Sequence, residues 1–210
     1  MSTIKNIVFD FGGVLLDWNP RYLYKTYFND DKEMEHFLSD ICNSEWNVQQ
    51  DAGRPFAEAV KLLQAEYPQY SEAIQMYDEH WDKMLKCEFP ESIALLKRLK
   101  SMRYGIYGLT NWSAEKIGIA FSRYDFFGLF DGIVVSGEEK VAKPDPRIFM
   151  ILLDRYGLTA GECVFIDDNE DNVLAAEALG FKAIRFDSID NVKLRLAELL
   201  GRDMSCNDGN

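Results

Sequence analysis

The stretch Ile7-Val8-Phe9-Asp10-Phe11-Gly12-Gly13-Val14-Leu15-Leu16-Asp17 decides how this chain is read. Ile7, Val8 and Phe9 run without polar interruption into Asp10, the pattern of a strand buried on both faces and ending in a carboxylate. Gly12 and Gly13 follow at once, and paired glycines let the backbone turn sharply and approach a ligand closely. In open α/β sheets, ligands bind just beyond the carboxyl ends of the strands. Taken alone, the stretch equally suits a buried strand whose acidic residue serves only a turn or a cap.

Working outward, residues 18–87 show no strand pattern. Helical spacing recurs there at Phe56, Ala59, Val60, Leu62 and Leu63, and again at Ile74, Tyr77, Trp81 and Leu85. Connections between a strand and the next helix usually take about 2–6 residues, so this segment reads as an inserted helical unit. From Phe89 onward helices and strands alternate. Pro90 opens an amphipathic helix, and strands are expected at residues 106–109, 132–135, 163–166 and 183–186. Helices are expected after Pro144 and Pro146, from about Asn172, and from a cap at Asp190. Such alternation implies an α/β fold, a Rossmann-like parallel sheet of five main strands with helices on both faces. The predicted division is a core of residues 1–17 and 88–204, an α-helical cap of residues 18–87, and a frayed polar tail of residues 205–210.

The 210 residues are 47% hydrophobic and 28% charged, enough to bury a substantial core. The net charge of −12 disfavours nucleic acid and anionic lipid as partners. Any phosphate site must then be made locally positive by a metal, a lysine or backbone amides. The four cysteines show no Cys-x-x-Cys spacing, which suits a reducing compartment. The first residues lack the pattern of a secretory signal, and no apolar run reaches membrane-spanning length. The expectation is a cytoplasmic protein with no membrane partner; nothing in the sequence speaks to its oligomeric state.

The polar residues fall in a telling place. Asp10, Thr110-Asn111, Lys143 and Asp167-Asp168 each follow a buried-looking strand, and a parallel sheet brings all four ends to one edge. Singly, Thr110 and Asn111 also suit helix caps, Lys143 a solvated loop, and the acidic pair a turn. Two adjacent carboxylates in so acidic a chain repel unless a proton or cation relieves them. A hard cation with oxygen ligands, most simply Mg²⁺, does so.

The set Asp10-Phe11-Gly12-Gly13-Val14, Leu109-Thr110-Asn111, Lys143-Pro144 and Asp167-Asp168 resembles the four motifs of the haloacid dehalogenase-like hydrolases. The resemblance covers about residues 4–17 and 89–186, and extends in layout to the helical cap, which in that family sits over the site and selects substrate. It implies Mg²⁺-dependent hydrolysis of a small phosphorylated metabolite through an aspartyl-phosphate on Asp10. By the same resemblance Thr110 and Asn111 hold phosphoryl oxygens, and Lys143 neutralises developing charge. Asp10, the Gly12 carbonyl and Asp168 hold the metal, with Asp167 and Asn172 behind them.

One position departs from the pattern. Most phosphatases of the family carry a second aspartate two residues after the nucleophile as general acid and base, and this chain has Gly12 there. General acid–base catalysis is typically worth about 10²–10⁴-fold, so the expectation is activity that is weak or confined to phosphates with good leaving groups, unless a cap residue substitutes. His36, His80, Glu45 and Asp51 are the candidates. Similar glycine-containing first motifs occur in the subgroup resembling sugar-1-phosphate phosphatases and the N-terminal domain of epoxide hydrolases, which points to a sugar phosphate. The alternatives are a 2-haloacid dehalogenase of the same fold, and a catalytically idle binder of a phosphorylated ligand. Trp18, Tyr22, Tyr24 and Trp46 are candidates for a pocket wall, although aromatic residues in a helical insertion more often form core.

Overall fold

A computed structural model describes residues 3–204. The strands in chain order are β1 (Asn6–Phe9), β2 (Leu16–Trp18), β3 (Leu85–Glu88), β4 (Gly105–Thr110), β5 (Gly132–Val135), β6 (Cys163–Asp167) and β7 (Lys182–Arg185). Five of them form one parallel sheet in the order β5-β4-β1-β6-β7. The opening strand is thus central. Val8 stands between Tyr107 of β4 and Phe165 of β6.

This central position explains the unbroken apolar run. Ile7 and Phe9 enter one hydrophobic cluster with Ile106, Val164 and Ile166, whereas Val8 enters the other with Leu109 and Phe165. Alternate side chains of a strand leave opposite faces, so a strand covered on both sides has no use for polar residues. Each such side chain contributes about 1.5–3 kcal/mol on burial.

Between β2 and β3 lie the helices α1 (Arg21–Tyr24), α2 (Asp31–His36), α3 (Ser44–Asp51), α4 (Phe56–Glu66) and α5 (Ser71–Glu79). A π-helical stretch, Phe37–Ile41, continues α2. Tyr24 and Trp46, considered above for a pocket wall, belong to the interior of this unit. Tyr24 is fully buried against Phe37, and Trp46 packs edge-on to Tyr77 at 5.0 Å.

Core helices follow: α6 (Pro90–Ser101), α7 (Ile117–Arg123), α8 (Ser136–Glu139), α9 (Pro146–Tyr156), α10 (Glu170–Ala178) and α11 (Ile189–Leu200). Proline at the start of α6 and α9 pre-sets the first turn, and Gly157 and Gly201 close α9 and α11 in the left-handed conformation that glycine favours.

Three sequence expectations need correction. Residues 18–87 include part of a strand, because β3 pairs antiparallel with β2 at the two crossings between cap and core. These strands are too short to show a period-two pattern. Helix α10 begins at Glu170, since the Asn169 side chain accepts from the Asp171 amide and caps it, two residues before the expected start near Asn172. Helix α11 is capped by Ser188, not Asp190. The tail of residues 205–210 lies outside the described residues.

Candidate active site

The parallel sheet delivers β1, β4 and β6 to a common edge, and the chain turns there on Asp10, Thr110 and Asp167. After β1 the backbone folds back tightly. The Phe11 carbonyl accepts from Leu15 and Leu16, and the Gly13 amide donates to the Leu16 carbonyl at 3.0 Å. Gly13 has φ +74°, and a Cβ there would lie 2.5 Å from Oδ2 of Asp168. Glycine at this position therefore makes room for the second acidic segment. Gly12 differs, because a Cβ on it would meet nothing within 4 Å.

Lys143 sits at the centre, with its side chain buried. Its ammonium lies 2.6 Å from Oδ2 of Asp167 and 3.0 Å from Oδ1 of Asp10, and donates to the Leu109 carbonyl at 2.8 Å. Burial alone would lower its pKa, yet the two carboxylates more than offset that and hold it above the usual lysine value. Asp167 is fully committed. Besides Lys143 it accepts from the Asn169 amide at 2.9 Å and from Asn172 Nδ2 at 3.0 Å. Asn172 is therefore brought to Asp167, and Asp167 to Lys143.

The Asn111 side chain is taken up by the lysine loop. Its side-chain amide donates to the Lys143 carbonyl at 2.9 Å, and its side-chain oxygen accepts from the Lys143 amide at 2.8 Å. Both polar ends of this side chain thus fix the lysine loop, and the side-chain amide is engaged. Thr110 is the opposite case. It is fully buried, and its hydroxyl has no hydrogen-bond partner among the described residues. Buried hydroxyls are rarely left without a partner.

Asp10, Asp167 and Asp168 each place a carboxylate oxygen within 4.8 Å of the others. Burial pushes the Asp10 carboxyl up to about 7, with Asp167 and Asp168 adding to the effect against the pull of Lys143. Burial, and then Asp167, also raise Asp168. One ammonium faces three carboxylates, a surplus of negative charge that one divalent cation would cancel. The donors are all oxygens, suited to a hard ion such as Mg²⁺. With Asp167 engaged by Lys143, Asn169 and Asn172, the less encumbered Asp10 and Asp168 are the side chains that fit as ligands.

The remaining sequence candidates scatter. His36 pairs with Asp40 on the exposed side of the cap, Glu45 is exposed on α3, and His80 borders an open groove with Gln64 and Glu79. Tyr22 donates to Asp17. Trp18 stacks on Trp81, which contacts Trp112, and so forms a wall between cap and core. Of these, only Asp51 reaches from the cap toward this edge of the sheet, where it meets the backbone of Ser113. Ser113 itself was missed in the sequence, where only its place shortly after Thr110-Asn111 marks it.

A carboxylate cluster bound to a buried lysine, at the edge of a parallel sheet and beneath a helical insertion, defines a class of α/β hydrolases. A haloacid dehalogenase-like hydrolase family model matches residues 4–180, and the chain belongs to that family. It is similar to the sesquiterpene phosphatase astK of Aspergillus oryzae, 28% identical over 206 residues, with 95% of this chain and 98% of that protein covered. It is also 28% identical over 103 residues to (S)-2-haloacid dehalogenase 4A of Burkholderia cepacia, across 49% of this chain and 45% of that protein. Among solved structures, a Bacteroides thetaiotaomicron enzyme of the same family, in complex with magnesium and inorganic phosphate, superposes with a TM-score of 0.65. That match has 24% identity and covers 87% of this chain and 93% of the other. Among the described residues, no helix is long and apolar enough to cross a membrane.

Proposed function

We propose that this hydrolase is a Mg²⁺-dependent phosphomonoesterase acting on a small phosphorylated metabolite, with Asp10 as its nucleophile. The observation that carries this reading is the excess of carboxylate over ammonium at the catalytic edge. A site meant only to displace halide from carbon has no need of it. A relative named as a phosphatase over nearly its full length supports the same choice, as does a structural neighbour holding magnesium and phosphate. The glycine-containing first motif favours a sugar phosphate among such metabolites.

The chain's own residues would divide the work as follows. An Asp10 carboxylate oxygen attacks phosphorus in line with the leaving oxygen, forming an aspartyl-phosphate, which water later cleaves to regenerate the carboxylate. The Lys143 ammonium, already 3.0 Å from Asp10, stabilises charge on the phosphoryl oxygens. The unpartnered Thr110 hydroxyl donates to one of them. Asp167, Asn172 and Asn111 hold the lysine in place. Asp10, Asp168 and the Gly12 carbonyl would hold Mg²⁺, which supplies positive charge between two anionic reactants.

A phosphometabolite screen with Mg²⁺, run beside 2-haloacids and repeated with chelator, tests this reading. Chelator-sensitive phosphate release, lost in Asp10→Asn, is expected. Chelator-insensitive halide release would instead establish the dehalogenase, and phosphate binding without turnover in either protein would establish an idle binder.

A further inference from the structure

We propose that Asp51 of the cap supplies the proton-transfer group that position 12 lacks, giving a proton to the leaving oxygen and later taking one from the attacking water. The inference rests on the phosphatase reading above and assigns the acid–base step of that same site.

Its basis is the bridge that Asp51 makes between cap and core. The residue ends α3. On the cap side its Oδ2 accepts from Asn47 Nδ2 at 3.0 Å, and the Tyr77 hydroxyl orients Asn47 by donating to Oδ1 at 3.2 Å. On the core side the backbone of Ser113, two residues beyond Asn111, hydrogen-bonds the same carboxyl. Lys143 is near enough for its charge to act on Asp51. The carboxyl therefore lies between the loop that handles the phosphoryl group and the interior of the cap.

The loop that follows is fixed against the core. Gly53 has φ +99°, and a Cβ there would lie 3.0 Å from Lys140 Cγ and 3.2 Å from the Gly137 carbonyl. The Phe56 amide donates to Glu115 of the core at 3.3 Å. Asp51 is thus held in register with the catalytic edge, as a proton donor must be. Beside it opens a cavity of about 420 Å³, lined among others by Trp18, Asn43, Asn47, Val48 and Tyr77. That volume lies within the range of small-molecule sites and would house the leaving group.

The charged group of the core that acts on Asp51 is Lys143, while Lys140 packs beside Gly53 in the loop that follows. From the cap, Arg21, Cys42 and Tyr77 line the same cavity. Burial outweighs the Ser113 hydrogen bond and the Lys143 charge, and pushes the carboxyl up to about 7. Both protonation forms are then present near neutrality, the condition for a group that donates and accepts in one cycle.

The proton balance closes. As Asp10 oxygen bonds to phosphorus and the ester P–O bond breaks, the leaving alkoxide takes the Asp51 proton and departs as the alcohol. The Asp51 carboxylate then removes a proton from water as the water oxygen bonds to phosphorus and the P–O bond to Asp10 breaks. Phosphate leaves, Asp10 is again a carboxylate, and Asp51 is again protonated.

The test compares wild type, Asp51→Asn, Asp10→Asn and the double variant Gly12→Asp/Asp51→Asn in Mg²⁺. The substrates are p-nitrophenyl phosphate, whose leaving group departs as a stable anion, and a panel of alkyl phosphates. Asp51→Asn should lower kcat on alkyl phosphates by about 10²–10⁴-fold. Formation of the phosphoryl-enzyme from p-nitrophenyl phosphate should stay near the wild-type rate. The double variant should recover alkyl-phosphate turnover, since position 12 has open space. Equal loss of phosphoryl-enzyme formation from both substrate types, no loss on either, or a wild type that turns over no alkyl phosphate overturns the assignment. If Asp51→Asn does not fold, the wild-type pH profiles decide. Phosphoryl-enzyme formation should fall on the basic side near pH 7 with alkyl phosphates and not with p-nitrophenyl phosphate, and coincident profiles overturn it. A wild type inert toward every phosphomonoester, or an active Asp10→Asn, instead overturns the phosphatase reading itself.

Discussion

Asn111 holds the peptide group of Lys143 at both ends, donating to its carbonyl at 2.9 Å and accepting from its amide at 2.8 Å. The lysine whose ammonium meets Asp10 and Asp167 is thereby aimed through its own backbone by a residue one strand away. Each such bond contributes about 0.5–1.5 kcal/mol net. Asn111→Ala should cost about 1–3 kcal/mol of stability and lower kcat more than it raises KM, as steady-state kinetics with a denaturation curve would show. Unchanged kcat would mean that the loop is held without Asn111.

The neighbouring Thr110 should behave differently. Its hydroxyl is buried without a partner among the described residues, so Thr110→Val removes no hydrogen bond to them. Replacing an unsatisfied polar group by an apolar one of the same shape is near neutral or stabilising. The midpoint of thermal unfolding should hold or rise while inhibition by inorganic phosphate weakens by about tenfold, the equivalent of one charge-assisted hydrogen bond. A lower melting point with unaltered phosphate inhibition would assign the hydroxyl a structural role.

The two glycines after Phe11 should separate sharply on substitution. Gly13→Ala strains a positive φ and drives a methyl group to 2.5 Å from Asp168 Oδ2, so it should lower stability by about 1 kcal/mol or more and weaken Mg²⁺ binding. Gly12→Ala meets open space and should fold with wild-type stability. Calorimetric Mg²⁺ titrations of both variants check the contrast, and equal Mg²⁺ affinities in the two would contradict it.

Asp51 should leave a mark on stability as well. Its carboxyl titrates at about 7 in the folded protein against an ordinary value of 3.8. Between these limits the folded state keeps a proton that the unfolded chain has lost, so this group's contribution falls as pH rises through the window and is level above it. Asp51→Asn, which carries no charge to desolvate, should gain melting temperature relative to wild type from pH 4 to 7. A difference between the two that does not change with pH would show that the carboxyl is not desolvated.

Much of this was legible in the residues because long-range order here follows from local pattern. An apolar run ending in Asp10, another ending in Thr110 and a third ending in Asp167 suffice to place three site residues, since parallel strands share an edge. Lys143 was harder to place by that rule than the others, because the short helix α8 and a loop with no periodic signal separate it from β5. What escaped detection depends on contacts without sequence spacing. The β2–β3 ribbon pairs residues some seventy positions apart over a handful of hydrogen bonds, as in Leu16 with Glu88. The double grip of Asn111 on Lys143, 32 residues away, leaves no trace in either segment. Among the four acid–base candidates, nothing but three-dimensional placement separates Asp51 from His36, His80 and Glu45.

Chemical trapping at Asp10 tests the nucleophile most directly. Wild type would be quenched during steady-state turnover of p-nitrophenyl phosphate in Mg²⁺, reduced with borohydride, digested and weighed by mass spectrometry. The expected result is homoserine in place of aspartate at position 10, absent without substrate and absent with chelator. Active turnover with an unmodified Asp10 peptide would contradict the aspartyl-phosphate route.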